Sequence, residues 1–363
     1  MTQRILFVVK SLFPAGDAHQ LQLLTSELAV HGWDIHIAVI DHDERIEPQW
    51  PVHASIHILC QQRESRAAKT IRLRRLLQKL RPSIVHAWDF YSTVNSQLAS
   101  AGMSLDQIST LLEIPHRREL WFRKTCQWMS KQTRITVCHE RISGFLVDNG
   151  FVNSSHPFHI IPNAINPITT DRQNARANLA TELGIENPDA LIVTTIAEWA
   201  PRTRIKDLIW AAALLNCIEY DIHLLIFGDG LQEQSLKTYA EQTNTDKYVH
   251  LMHNSPLALQ ALAGSHAYWH SHLLRPLPTE LMMAMACSLP TVSVLGDGTE
   301  NLVLHQQTAF ATNFGARDEF ARWTKYIVEQ TEATEKLASQ AKQNVLNHFP
   351  PKRMTESFLN LYQ

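Results

Sequence analysis

Short apolar runs alternate with amphipathic stretches along the first half of the chain. The run "RILFVV" is continuously apolar, which is typical of a strand buried on both faces of a parallel sheet. The amphipathic stretch "PAGDAHQLQLLTSELAVHGW" and a second apolar run, "DIHIAVI", follow it. The alternation continues as far as "FHIIP". This pattern predicts a doubly wound α/β domain with a parallel sheet over residues 1–165.

The same alternation begins again after a polar stretch. Residues 166–190 are mostly polar and predict a linker with an entry helix. The apolar runs "LIVTTIA", "IHLLIFG" and "TVSVL" then alternate with helical patterns, which predicts a second doubly wound domain over residues 191–345. Because ligands bind at the carboxyl ends of parallel strands, we expect the site in a cleft between the two domains.

The length, net charge and cysteine spacing of the chain exclude several classes of protein. The chain has 363 residues, 45% of them hydrophobic, and a formal net charge of -2, so it can bury two cores and carries no overall attraction to nucleic acid. No two of its five cysteines form a C-x-x-C motif, which argues against a zinc site or a disulfide framework. Reduced thiols and the absence of a long apolar run at the N-terminus indicate a cytoplasmic protein.

Several passages resemble, in order and spacing, the retaining glycosyltransferases of GT-B fold in the glycogen synthase and sucrose synthase-like group, the glycosyl transferases group 1. They are "RPSIVHAWDF", "IIPNAIN", "IKDLIWAAALL", "LLIFGDG" and "MAMACSLPTVSVLGDGTENLV". The resemblance implies an acceptor-side N-terminal domain and a C-terminal domain that binds a nucleoside-diphosphate sugar. It also implies a helix over 346–363 that crosses back to the first domain, and hexose transfer to a glycan or lipid-linked acceptor without a metal or other cofactor.

Four polar positions of the family's donor site are replaced in this chain. In the family, an Arg and a Lys neutralise the diphosphate, and the two Glu residues of an E-x7-E motif contact the sugar and the ribose. The matching positions here hold Glu198, Thr203, Arg275 and Met283. Since a hydrogen bond to a charged group contributes about 1.5–3 kcal/mol, losing both cations weakens donor binding by several orders of magnitude.

Two hypotheses of different classes follow from these replacements. In the first, the chain is a working transferase in which Arg202, Arg204 or Arg275 contacts the diphosphate. In the second, it is a catalytically inactive homologue that acts as a binding or scaffold protein. A sugar-binding or epimerase-like protein is a third and weaker option, because the order of the motifs argues against it.

Glycine-containing turns and one loop provide further donor-site candidates. By resemblance, the glycine loop of the first domain holds Gly16, and two later passages face the donor. Each of these candidates also has an interpretation in which it contacts no ligand. The glycines would then form tight turns before helices, and the glutamate would cap the segment that follows it. The candidates in the second domain are Gly228, Asp229, Gly230, Thr299 and Glu300.

Two histidines follow or end predicted strands of the first domain. By resemblance to a histidine that hydrogen-bonds the donor sugar, His116 is the candidate catalytic residue, and His86 is a second candidate. A histidine is more often a core or surface residue than a catalytic one.

A basic helix is predicted near residues 63–81, with Ile71, Leu76, Leu77 and Leu80 as its core-facing stripe. Its cations form a solvated face or, as the alternative, a peripheral contact with the inner face of the membrane.

Overall fold

A computed structural model describes residues 3–12, 17–41, 53–60, 64–114, 127–128, 131, 133–169, 171–253, 255, 257–273, 275–296 and 298–363. The chain divides into two compact units. The first unit consists of Met1–Ala164 together with Pro351–Gln363, and the second of Ile165–Pro350.

A seven-stranded parallel sheet forms the centre of the first unit, with the strand order β3-β2-β1-β4-β5-β6-β7. Its central strand β1 is buried on both faces, which explains its unbroken apolar sequence. The strands are β1 (Arg4–Val9), β2 (Asp34–Val39), β3 (Ala54–Ile58), β4 (Ile84–Ala87), β5 (Asp106–Leu111), β6 (Arg134–Val137) and β7 (Phe158–Ile160).

Helices cover the faces of this sheet. The described helices of the first unit are α1 (Asp17–Val30), α2 (Arg66–Leu80), α3 (Phe90–Ala99), α4 (Glu140–Asp148) and, at the end of the chain, α12 (Pro351–Tyr362). Helix α12 belongs to the core of this unit, because Met354, Phe358 and Tyr362 are buried in one cluster with residues of β1 and α1. The last helix therefore completes the apolar core of the first unit.

The second unit contains a six-stranded parallel sheet with the order β10-β9-β8-β11-β12-β13. The strands are β8 (Leu191–Ile196), β9 (Ile222–Gly228), β10 (Val249–His253), β11 (Ala267–His270), β12 (Thr291–Val294) and β13 (Phe310–Thr312). The helices are α5 (Arg172–Leu183), α6 (Ile205–Cys217), α7 (Glu233–Gln242), α8 (Leu257–Gly264), α9 (Thr279–Ala286), α10 (Arg317–Glu329) and α11 (Thr331–His348), and a short 3-10 turn spans Pro201–Thr203.

The prediction of two doubly wound parallel-sheet domains is confirmed. Two short strands were not predicted, β3 and β13, and each joins its sheet beside a predicted strand. Among the described residues, no helix is both long enough and apolar enough to cross a bilayer.

The core-facing stripe predicted for α2 is partly wrong. Leu73 and Leu77 are its buried apolar residues, whereas Ile71 is 51% exposed. Lys69 is also buried, and its Nζ donates to Oδ1 of Asp41 at 2.9 Å. The cations of α2 are therefore not all on a solvated face, because Lys69 is buried and forms an ion pair with Asp41.

Candidate active site at the carboxyl edge of the second sheet

The loops that follow β8, β9, β11 and β12 meet at the carboxyl edge of the second sheet. The amide of Trp199 donates to the carbonyl of Asp229 at 2.8 Å, which joins the first two loops. Ser271 Oγ donates to the carbonyl of Thr203, which joins the loop after β11 to the loop after β8. The strand order changes direction between β8 and β11, so this edge contains the switch point where ligands of such sheets bind.

The turn after β9 packs directly against the loop after β8. A Cβ on Gly228 would lie 2.0 Å from the carbonyl oxygen of Ala197, and one on Gly230 would lie 2.4 Å from that of Trp199. Internal packing therefore requires both glycines. Between them, Asp229 accepts the Gly230 amide through Oδ1 at 2.8 Å.

The loop after β8 holds two of the replaced positions. Glu198 forms an ion pair with Arg202. Thr203 is 2% exposed, and its hydroxyl lies 2.8 Å from the carbonyl of Glu198 and 2.7 Å from that of Ala200. Neither family position thus presents a cation to a ligand.

Arg204 is the N-cap residue immediately before α6 and has the left-handed conformation, with a φ of 52°. Its Nε donates to Asp207 in the first turn of α6, and its guanidinium lies 4.9 Å from the ring centroid of Phe314. Arg317 Nε lies 3.8 Å from the other carboxylate oxygen of Asp207. Two arginines therefore share one carboxylate at the N-terminus of a 13-residue helix. The formal charge of this group is positive, which favours an anion there.

The other two replaced positions lie in the loop after β11 and in α9, the helix that follows it. Arg275 Nη1 lies 3.4 Å from Oε1 of Glu280, which is in the first turn of α9. Met283 is completely buried in the same helix. The arginine at the first Glu position thus has a carboxylate partner, and the methionine at the second Glu position is part of the core.

Sequence reasoning missed a buried histidine beside this loop. His270 ends β11 and is 5% exposed, and its Nε2 has no hydrogen-bond partner among the described residues. Burial, and secondarily the charge of Arg275, lower the pKa of His270 to about 4, so the ring is neutral at pH 7. A signal was available in the sequence, because the polar stretch "HSH" ends an apolar strand.

The loop after β12 uses its polar groups internally. The hydroxyl of Thr299, which is fully buried, donates to the carbonyl of Gly296 at 3.0 Å. Glu300 accepts the Gly298 amide through Oε2 at 2.7 Å. The carboxylate of Glu300 thus accepts from the loop two residues earlier in the chain.

Of the candidates in the first unit, only His86 lies within the described residues; Gly16 and His116 lie outside them. His86 is completely buried, with Nδ1 2.7 Å from Tyr362 Oη and Nε2 2.6 Å from Thr110 Oγ1. Burial, followed by the charge of Arg134, lowers its pKa to about 3. The prediction that His86 faces a ligand site is therefore wrong, because both ring nitrogens are bonded inside the core.

Comparisons with known proteins agree with this architecture. Residues 182–344 match the family model described as glycosyl transferases group 1. A curated relative is EpsD of Bacillus subtilis (strain 168), whose name gives glycosyltransferase as a provisional assignment. It is 22% identical over 253 residues, which span 68% of this chain and 65% of EpsD. The aligned stretch is thus shorter than two thirds of that relative.

Solved structures resemble the chain over nearly its full length. Anabaena HepE in complex with UDP-glucose has a TM-score of 0.79 at 16% identity, covering 99% of this chain and 98% of that one. Sucrose-phosphate synthase from Thermosynechococcus elongatus has a TM-score of 0.77 at 15% identity, with 99% and 98% covered. WaaG, described as a glycosyltransferase involved in lipopolysaccharide biosynthesis, has a TM-score of 0.76 at 13% identity, with 99% of each chain covered. The chain therefore has the GT-B fold, and residues 182–344, less than half of it, match the glycosyl transferases group 1 model.

Proposed function

We propose that the chain transfers a hexose from a nucleoside-diphosphate sugar to a glycan or lipid-linked acceptor, with retention of the anomeric configuration. The observation that carries the proposal is the shared carboxylate at the start of α6. Among the described residues, Asp207 is the one acid that pairs with both Arg204 and Arg317, and the helix N-terminus adds partial positive charge. A pyrophosphate at this point would supply the missing negative charge.

The arginines would act mainly on the departing diphosphate. Negative charge develops on the leaving group as the glycosidic bond breaks, so fixed cations stabilise the transition state more than the ground state. Arg204 would turn from Asp207 to a phosphate oxygen, while Arg317 keeps the carboxylate. Arg202 and Arg275 are further candidates, and each would have to exchange its present partner, Glu198 or Glu280, for the ligand.

The similar structures support the choice of donor and acceptor. HepE was solved with UDP-glucose and with UDP and glucose, and WaaG is named for lipopolysaccharide biosynthesis. We infer a nucleotide sugar as donor for this chain and a cell-envelope glycan or its lipid-linked precursor as acceptor. A cytoplasmic protein with peripheral contact at the inner face of the membrane would fit such an acceptor.

A second candidate function is a catalytically inactive homologue that binds a partner or a glycan. Specific observations favour it: Thr203 and Met283 are buried, and Glu198 and Arg275 are already in ion pairs. A site in which the family's cations are absent would hold a nucleotide only weakly.

Calorimetry and a product assay distinguish the two functions. We expect UDP, GDP or one of their hexose conjugates to bind, and Arg204→Gln to weaken binding about 10- to 100-fold. The matched control is Arg322→Gln, an exposed arginine of α10 that pairs with Glu319.

Turnover is followed by NMR of the released or transferred hexose, whose first-formed anomer reports retention. Binding without turnover on any acceptor or water would support the inactive homologue. Absence of binding to every nucleotide would reject the transferase.

A further inference from the structure

A cavity of about 740 Å³ lies at the amino-terminal edge of the second sheet, opposite the edge described above. Its wall includes Ile192 near the start of β8, His266 just before β11 and Pro290 just before β12. Helix α5 and the junction between α10 and α11 close its sides. The cavity is therefore built entirely from the second unit.

Two arginines of α5 line the cavity, and neither has an acidic partner in the part of the chain that the structure describes. Arg176 donates through Nε to the carbonyl of Gly264 at 2.9 Å, and Arg172 donates through Nη2 to the carbonyl of Ser288 at 2.6 Å. Among the described residues, no carboxylate forms an ion pair with either guanidinium. Burial, followed by repulsion from Arg172, lowers the pKa of Arg176. Half-buried charge without a counterion is unfavourable, and an anionic ligand would offset it.

Two groups that are neutral at pH 7, His266 and Thr334, line the same cavity as the arginines. His266 Nδ1 accepts the Ile192 amide at 3.0 Å, so the neutral ring carries its proton on Nε2, which bonds to no described residue. Burial, then the charges of Arg176 and Arg172, lower the pKa of His266 to about 4, which keeps the ring neutral at pH 7. Thr334 lines the cavity and is 2% exposed, yet its buried hydroxyl has no partner among the described residues.

The remaining lining separates an apolar wall from an acidic rim. Ala177, Ala180 and Ile327 supply apolar surface. Glu186 and Glu335 also line the cavity, but both are exposed and neither forms an ion pair with the arginines. A ligand that fits this arrangement has an anionic group that contacts the arginines and an organic part that packs against the apolar residues.

We propose that this cavity is a binding site for a small organic phosphate, separate from the nucleotide edge. The phosphate would lie between Arg172 and Arg176 and accept hydrogen bonds from His266 Nε2 and the Thr334 hydroxyl. A phosphate monoester presents three terminal oxygens to these four groups, whereas a carboxylate presents two, which favours the phosphate. The cavity volume exceeds that of inorganic phosphate and leaves room for a body of sugar size.

The test is calorimetry on the full chain with a hexose 6-phosphate, the unphosphorylated hexose, a hexuronate and inorganic phosphate. We expect one hexose phosphate to bind per chain, inorganic phosphate to bind more weakly, and the neutral hexose not to bind. Excess UDP should leave the hexose phosphate isotherm unchanged. Equal binding of the neutral hexose or of the hexuronate, displacement by UDP, or no binding at millimolar concentration would overturn the proposal.

Variants locate the binding to this cavity. Arg176→Gln should weaken hexose phosphate binding about ten-fold or more, and Thr334→Val about two- to ten-fold. The matched control is Arg74→Gln, because Arg74 also donates to carbonyls at a helix end, those of Ala99 and Ala101, but lies in the first unit. Thermal unfolding verifies that each variant is folded. If Arg176→Gln does not fold, the binding test is made with Thr334→Val alone. Unchanged affinity in the folded variants would place the ligand elsewhere and reject the site.

Discussion

Nδ1 of His36 lies 2.9 Å from Nε2 of His57, and the two rings stack across the neighbouring strands β2 and β3. Asp34, two residues earlier on β2, has Oδ1 3.2 Å from Nε2 of His36. Because β3 is an edge strand of the first sheet, this side-chain contact adds to the backbone hydrogen bonds that hold β3 to β2.

The second unit repeats the arrangement. His223 on β9 has Nδ1 3.0 Å from Nε2 of His250 on the edge strand β10, again with stacked rings. Asp221 again precedes the first histidine by two residues, with Oδ1 3.7 Å from its Nε2. Both units thus contain "Asp-Ile-His" where the strand next to the edge begins, and a histidine on the edge strand.

The histidine pair of the second unit should make stability depend on pH. Burial, followed by the charge of His223, lowers the pKa of His250 to about 4, whereas an unfolded histidine titrates near 6.5. Between these values the unfolded chain binds more protons, so the free energy of unfolding rises with pH and becomes level above about 6.5.

Replacing His250 by Gln should reduce this slope by up to about 1.4 kcal/mol per pH unit. Urea unfolding measured from about pH 4.5 to 7.5 checks this, with His31→Gln, an exposed histidine, as control. An equal slope in wild type and His250→Gln would show that the pair does not titrate as argued.

The contact between Tyr362 and His86 should make the last helix part of the stability of the first unit. Tyr362→Phe removes the hydroxyl that lies 2.7 Å from Nδ1 of a completely buried histidine. Leaving that nitrogen without a partner should lower the free energy of unfolding by about 1–3 kcal/mol. Tyr326→Phe, at a ring 39% exposed on α10, should change it by less than about 0.5 kcal/mol. Chemical denaturation compares the two, and equal effects would contradict the assigned role of the bond.

Three glycines should respond differently to alanine. Gly230→Ala places a Cβ 2.4 Å from the carbonyl oxygen of Trp199, so the loop after β8 must move and we expect a loss of about 2 kcal/mol or more. Gly32 has a φ of 76° with nothing within 4 Å, so strain alone should cost about 1–2 kcal/mol.

Gly144 lies inside α4 with open space around it, and Gly144→Ala should raise stability by about 0.5–1 kcal/mol. Thermal unfolding of the three variants gives the order. A Gly230→Ala protein as stable as wild type would show that the two loops do not pack as described.

The fold was predictable because most strands are buried on both faces. β1 and β8 have unbroken apolar sequences that contrast with the helices between them. β3 was missed because this edge strand has no fully buried residue and includes the polar residues Ser55 and His57, so its sequence is not a continuous apolar run. β13 was missed because it has three residues, too few for a period to be visible.

The candidate site was predictable only in part. The pairs Glu198–Arg202 and Arg204–Asp207 are four and three residues apart, so their spacing on a turn or helix start was visible in the sequence. The approach of Arg317 to Asp207 joins distant parts of the chain, and no local pattern indicates it. The cavity at the amino-terminal edge depends likewise on how α5, α10 and α11 pack together.

The position of α12 sets the order in which the two cores can be completed during synthesis. All of the second unit, Ile165–Pro350, has left the ribosome before α12 emerges. Most of the first unit is made earlier, but Met354, Phe358 and Tyr362 are made only after the second unit. The first unit therefore keeps an exposed apolar surface until α12 has been made. Chaperones that bind such surfaces would act on the first unit rather than on the second.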